Sequence, residues 1–86
     1  PYYADAYTHL GAAYQIQGKF DLAIEEYKKA ISLNPNLADA HSNLGTAYQA
    51  QGKLDLAIEE YKKALALNPS DPTVAHNLAV ANKLIK

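Results

Sequence analysis

The chain has 86 residues, about half of them apolar, with eight lysines, no arginine and nine carboxylates for a net charge of −1. That length makes one small domain, and the balance of apolar and charged residues suits a folded, soluble chain rather than a disordered one. There is no basic face to release counterions from a phosphate backbone, no apolar run near the roughly 20 residues of a membrane span, and no cysteine, which argues against nucleic-acid partners, membrane insertion, disulfides and thiolate metal sites.

Residues 4–17 form the first predicted helix, with Leu10, Gly11 and Tyr14 at helical spacing and Gly18 as its stop signal. The second, 20–33, carries the string LAIEEYKKA from Leu22 to Ala30 and ends at Asn34-Pro35, because proline disfavours helix in the residue before it and has no backbone N–H to donate. The third, 37–51, is expected to start from Asn36 as its cap and to stop at Gly52, with Ala40, Leu44, Ala47 and Tyr48 on one stripe. The fourth, 54–67, repeats LAIEEYKKA from Leu56 to Ala64. Its apolar residues Leu56, Ala57, Ile58, Tyr61, Ala64, Leu65 and Leu67 keep the helical period until Asn68-Pro69 breaks it. The fifth, 71–85, sets Val74, Leu78, Ala81 and Ile85 on one apolar stripe.

The repeated string is part of a longer self-similarity. Residues 4–37 laid over 38–71 agree at Ala4/Ala38, Asp5/Asp39, Ala6/Ala40, Leu10/Leu44, Gly11/Gly45, Tyr14/Tyr48, Gly18/Gly52, Ala23/Ala57, Tyr27/Tyr61, Ala30/Ala64 and Pro35/Pro69, and residues 72–86 begin a third copy. One helical hairpin cannot bury its own apolar stripes, so the predicted fold is an all-α stack of hairpins whose core lies between neighbours. The small residues Gly11, Gly45, Ala23, Ala57, Ala30 and Ala64 let helix axes approach closely. Tyr7, Tyr14, Tyr27, Tyr48 and Tyr61 are expected at packing positions, as is His41, which stands in the register of Tyr7. Glu25, Glu26, Lys28 and Lys29, recurring as Glu59, Glu60, Lys62 and Lys63, are read as a solvated outer face with Glu25 paired to Lys28 and Lys29, each pair contributing roughly 0.2–0.5 kcal/mol.

The 34-residue period, Leu-Gly followed three residues on by Tyr, the turn glycines, the alanines and tyrosines of the second helix, and the closing Asn-Pro resemble the tetratricopeptide repeat. The resemblance implies a right-handed α-solenoid in a single domain over 1–86: two full repeats, 4–37 and 38–71, and a terminal helix over 72–86. It also implies a non-enzymatic protein-interaction module. The residues agree with that, since Ser32, Ser42 and Ser70 have no adjacent base, the three histidines lie on three helices, and no metal or cofactor is expected. Pro1 falls in register with Pro35 and Pro69 and no initiator Met precedes it, which reads as a fragment of a longer natural or engineered array. The cytoplasm is the expected compartment, although no residue pattern assigns one.

In arrays of this family the first helices line the concave surface. Carried over by position, the groove is lined by Asp5, Thr8, His9, Ala12, Gln15 and Ile16, then Asp39, Ser42, Asn43, Thr46, Gln49 and Ala50, then Thr73, His76, Asn77, Val80, Lys83 and Leu84. His9, Asn43 and Asn77 form a ladder similar to the asparagine-ladder arrays of the O-linked N-acetylglucosamine transferases, which implies contact with a peptide backbone, since a carboxamide both donates and accepts. Ile16, Ala50, Val80 and Leu84 supply apolar contact. The alternative is that these are polar residues on a wet helix face. Arrays that grip acidic chaperone tails place Lys and Asn on these helices, with Arg added on the fifth. The corresponding positions here hold Thr8, Ala12, Asn43, Thr73 and Asn77, of which only Asn43 matches. The expected partner is a protein or peptide. A second reading is a self-assembling scaffold, in which Ala75 and Ala79 at one end and Tyr2 and Tyr3 at the other meet further copies head to tail.

Overall fold

A computed structural model describes residues 3–85. Five helices account for the regular structure among them: α1 (Tyr3–Ile16), α2 (Phe20–Leu33), α3 (Ala38–Ala50), α4 (Leu54–Leu67) and α5 (Pro72–Leu84). The bounds of α2 and α4 coincide with those expected, and the others differ by one residue at each end. Of the two tyrosines expected at the head-to-tail contact, Tyr2 lies outside the described residues, as does Pro1, and Tyr3 is exposed.

Helices α1 and α3 end alike. Gly18 and Gly52 take φ of +78°, a region open to glycine at little cost. The N–H of Lys19 then reaches the Tyr14 carbonyl at 2.9 Å and that of Gly18 the Gln15 carbonyl at 3.0 Å, and Lys53 and Gly52 repeat the pattern on Tyr48 and Gln49. These are the paired bonds of a Schellman C-cap, which satisfy carbonyls the helix leaves open. At the start of α3 the structure corrects the expectation. Leu37, not Asn36, occupies the cap position and no side chain caps the helix. The Asn36 N–H instead donates to Asn34 Oδ1 at 3.1 Å, an Asx turn that shapes the loop. Helix α5 is started by Asp71, which accepts from the N–H groups of Thr73 and Val74 just beyond Pro72.

Each helix packs on the next, and α1 also touches α3, as α3 touches α5, giving a right-handed stack of hairpins. Tyr27 and Tyr61 are the largest fully buried side chains. Each ring lies where a side chain on the facing glycine would stand: a Cβ on Gly11 would be 2.6 Å from Tyr27 Cε1, and one on Gly45 would be 2.7 Å from Tyr61 Cε1. Ala23, Ala30, Ala57 and Ala64 are sealed around them. The interior between hairpins is made by Ile24, Leu44, Ala47, Tyr48, Val74 and Ala81, and burial of a side chain such as Leu44 is worth about 1.5–3 kcal/mol. Leu10, in the same register as Leu44, is 43% exposed against 3%, because among the described residues no helix packs on that side of α1. Tyr7 and Tyr14 are half-buried for the same reason, and Leu56 and Leu67 sit at the edge of their stripe, about two-fifths exposed.

The outer charges also differ from expectation. Glu25 and Glu59 are exposed, whereas Glu26 and Glu60 are buried, so the face is not uniformly solvated. The observed pairs are Glu26 with Lys29 at 3.3 Å and Glu60 with Lys63 at 3.2 Å. The physical reason is helix geometry: Glu26 and Glu60 immediately precede the buried tyrosines and are drawn into the crevice with them. Glu60 Oε1 there meets His41 Nδ1 at 2.8 Å, while His41 Nε2 reaches the Pro35 carbonyl at 2.9 Å. His41 is thus the packing residue its register predicts, but one held by polar contacts that join the α2–α3 loop to α4.

Candidate functional site

Helices α1 and α3 lie side by side and enclose two adjoining depressions of about 300 Å³ each. The first is lined by Asp5, Thr8, His9, Ala12, Leu37, Asp39 and Asn43, and the second by Ala12, Gln15, Ile16, Tyr27 and Asn43. Ala12 and Asn43 belong to both, so the depressions run together into one trough with Asn43 at its middle. All six α1 residues expected in the groove are therefore brought together with Asp39 and Asn43. The depressions do not take in Ser42, Thr46, Gln49 and Ala50 farther along α3, nor Thr73, His76, Asn77, Val80, Lys83 and Leu84 on α5.

Several of the expected polar contacts are already spent inside the chain. Thr8 is buried, and its hydroxyl donates to the Ala4 carbonyl at 3.0 Å; Thr46 donates to the Ser42 carbonyl at 3.0 Å, and Ser42 to the Asp39 carbonyl at 3.1 Å. Such back-bonding to the preceding turn is common for hydroxyl side chains in helices. Asn43 and Asn77 are half-buried, and no hydrogen bond among the described residues uses either carboxamide. His9 and His76 are exposed, as are Ile16 at 88% and Leu84 at 57%.

Two lining residues were not anticipated. Leu37 adds an apolar floor beside Asp39, and its position just outside α3 hid it. Tyr27 reaches the trough from the second helix of the hairpin: its ring is in the core, while its hydroxyl donates to Gln15 Oε1 at 2.6 Å. Tyr61 repeats the contact with Gln49 Oε1 at 2.8 Å and lies 3.4 Å from Thr46 Oγ1. The available signal was that Gln15/Gln49 and Tyr27/Tyr61 recur at the same interval. Burial pushes the Tyr27 phenol up to about 12. Burial likewise raises that of Tyr61, and its hydrogen bond with Thr46 works against the shift. Both remain protonated donors at physiological pH.

Lysine is unevenly placed along the stack. Helices α1 and α3 carry Asp5 and Asp39 and no lysine, while Lys28, Lys29, Lys62 and Lys63 lie on α2 and α4. Lys29 sits over the Tyr7 ring at 5.6 Å from its centroid and Lys28 over Tyr48 at 6.0 Å, distances at which a cation and an aromatic face attract. Among the described residues no group of three His, Asp or Glu is placed to hold a metal, and no helix is long and apolar enough to cross a membrane.

Two family models match, one described as TPR repeat over residues 14–52 and one as tetratricopeptide repeat over 38–71. No curated protein sequence matches the chain. Among solved structures, the first TPR of Spaghetti (RPAP3), bound to the HSP90 peptide SRMEEVD, is similar with a TM-score of 0.95 and 28% identity over 99% of this chain and 68% of that one. Two structures of MamA give TM-scores of 0.91 and 0.90 at 34% identity, over 93% of this chain and 47% and 44% of theirs.

Proposed function

We propose that this chain, which belongs to the tetratricopeptide repeat family, is a non-enzymatic protein-interaction module that holds an extended peptide or a partner's helix in the trough between α1 and α3 and along α5 beyond it. The observation that carries the reading is Asn43: a half-buried carboxamide at the junction of two depressions, with no partner among the described residues and both donors and an acceptor to offer. The Spaghetti domain, similar over nearly the whole chain, binds a peptide, which supports an equivalent use of this trough. The ligand differs in charge. An acidic tail such as SRMEEVD would meet Asp5 and Asp39 on α1 and α3, where no lysine offsets its desolvation, and only Lys83 on α5. Recognition here rests on backbone contacts from the row His9, Asn43 and Asn77, with Ile16, Ala50, Val80 and Leu84 in apolar contact.

The test is a random-peptide phage library panned on the wild-type chain. Asn43→Ala weakens binding of the selected peptides alike whatever their sequence, while Glu59→Ala, on the exposed side of α4, leaves it unchanged. Loss confined to one peptide side chain would count against backbone reading, and recovery of no peptide would count against the groove. The second reading, head-to-tail assembly, is favoured by the exposed Leu10 and the exposed Ala75 and Ala79 at opposite ends of the stack. Sedimentation that finds only monomer across a wide concentration range would remove it.

A further inference from the structure

The carboxamides of Gln15 and Gln49 differ from that of Asn43 in one respect: their oxygen atoms are occupied. A primary amide offers an acceptor at one end and two donors at the other, and only its partners decide which end faces a ligand. At Gln15 the partner is the Tyr27 hydroxyl at 2.6 Å. That length suits an O–H···O bond and is short for N–H···O, so the oxygen end is the one at the phenol. At Gln49 the Tyr61 hydroxyl stands 2.8 Å from Oε1. The phenol has one hydrogen, and Gln49 Oε1 at 2.8 Å is the better placed acceptor for it than Thr46 Oγ1, which lies 3.4 Å from the Tyr61 hydroxyl. No described residue accepts from Nε2 of either glutamine.

The phenols cannot swing away. Each ring is fully buried and lies against the glycine one helical turn before its glutamine, Gly11 before Gln15 and Gly45 before Gln49. The i, i+4 spacing puts glycine and glutamine on one face of the helix, so a ring seated on the first necessarily delivers its hydroxyl to the second. The third position in this register is Lys83, exposed on α5, whose ammonium donates and cannot accept.

We propose that Tyr27 and Tyr61 are positioning residues that fix Gln15 and Gln49 with their N–H groups free, so that Gln15, Gln49 and Lys83 form a donor-only row taking the backbone carbonyls along one edge of an extended peptide. The inference rests on the groove reading and gives it a polarity. The row of His9, Asn43 and Asn77 serves carbonyl and N–H groups alike, while the parallel row serves carbonyls alone. The buried phenols stay protonated well above physiological pH, so the orientation holds throughout that range.

The experiment uses a peptide selected from the phage library on the wild-type chain. Gln15→Glu and Gln49→Glu keep an oxygen for the phenol but present no hydrogens, and Gln15→Met removes the donors without adding charge. Each is expected to weaken binding about fivefold to tenfold while changing thermal unfolding little. Tyr27→Phe keeps the ring and removes the hydroxyl; it is expected to weaken binding about threefold. Its decisive readout is the Gln15 side-chain ¹⁵N–¹H pair, which shifts on adding peptide to the wild type and loses that shift in Tyr27→Phe. Binding by all four variants at wild-type strength, or glutamine resonances that peptide leaves unmoved, would overturn the donor row while leaving the groove intact. If the wild-type chain selects no peptide, the groove reading fails and takes the donor row with it.

Discussion

Gly45 lies flush against the Tyr61 ring, close enough that a Cβ on the glycine would stand 2.7 Å from Tyr61 Cε1 and 3.2 Å from the Ala57 carbonyl oxygen. Neither neighbour has room to yield, since the ring is sealed and the carbonyl belongs to α4. Gly45→Leu therefore wedges α3 from α4 and is expected to cost about 1–3 kcal/mol or more, while Lys62→Ala on the exposed side of α4 costs within about 0.5 kcal/mol. Urea melts of the two variants compare them directly, and equal midpoints would contradict the packing.

The same rings set an alkaline limit on stability. Tyr27 is held neutral, with its folded value raised to about 12 from an ordinary 10.0 by burial. For a group whose folded value is raised, the stabilising contribution is complete below the unfolded value and is lost as pH rises through the folded one. Stability should thus fall between about pH 10 and 12, with Tyr27 contributing of order 2 kcal/mol to the drop. Tyr27→Phe flattens that part of a denaturation series taken across the window; an unchanged slope would mean the phenol ionises in place.

Adjacent glutamates should behave as opposites. Glu60→Ala strips His41 Nδ1 of its 2.8 Å partner inside the stack, and a buried polar group left unsatisfied costs about 1–3 kcal/mol. Glu59→Ala, one residue earlier and exposed, costs within about 0.5 kcal/mol. Chemical denaturation of the pair separates them, and a Glu60→Ala as mild as Glu59→Ala would mean that the His41 contact contributes nothing.

Helix α5 depends on its cap. Asp71→Ala removes the acceptor of two N–H groups and is expected to cost about 1 kcal/mol. Because α5 packs against α4 on one side and leaves Ala75 and Ala79 open, the loss should show first as faster amide exchange in Thr73 and Val74. Exchange accelerated equally in α2 would point to global rather than local opening.

These contrasts also mark where reading the sequence works and where it fails. The five helices were legible because glycine at φ of +78° and Asn-Pro breaks are local punctuation, and the closeness of α3 to α4 was legible because Gly45 and Ala57 recur with Tyr61. The burial of Glu60 was not, since its partner His41 lies 19 residues away and nothing near Glu60 separates it from Glu59. Asn36 looked like a cap because an Asx side chain in a loop serves a turn and a helix start equally well. In the trough, Asp5, His9 and Asn43 could be placed from their helical phase. That Thr8 would spend its hydroxyl on Ala4, or that Tyr27 would rise from the second helix to hold Gln15, depends on inter-helix distances that phase alone does not supply.

The central claim, that the trough between α1 and α3 is where a partner is held, is tested most directly by following backbone and side-chain ¹⁵N–¹H resonances as a library-selected peptide is titrated into the wild-type chain. Shifts are expected to concentrate at Asp5, His9, Ala12, Gln15 and Asn43 and to extend along α3 to α5. Shifts confined to the outer residues of α2 and α4, such as Glu25, Lys28, Glu59 and Lys62, would contradict it.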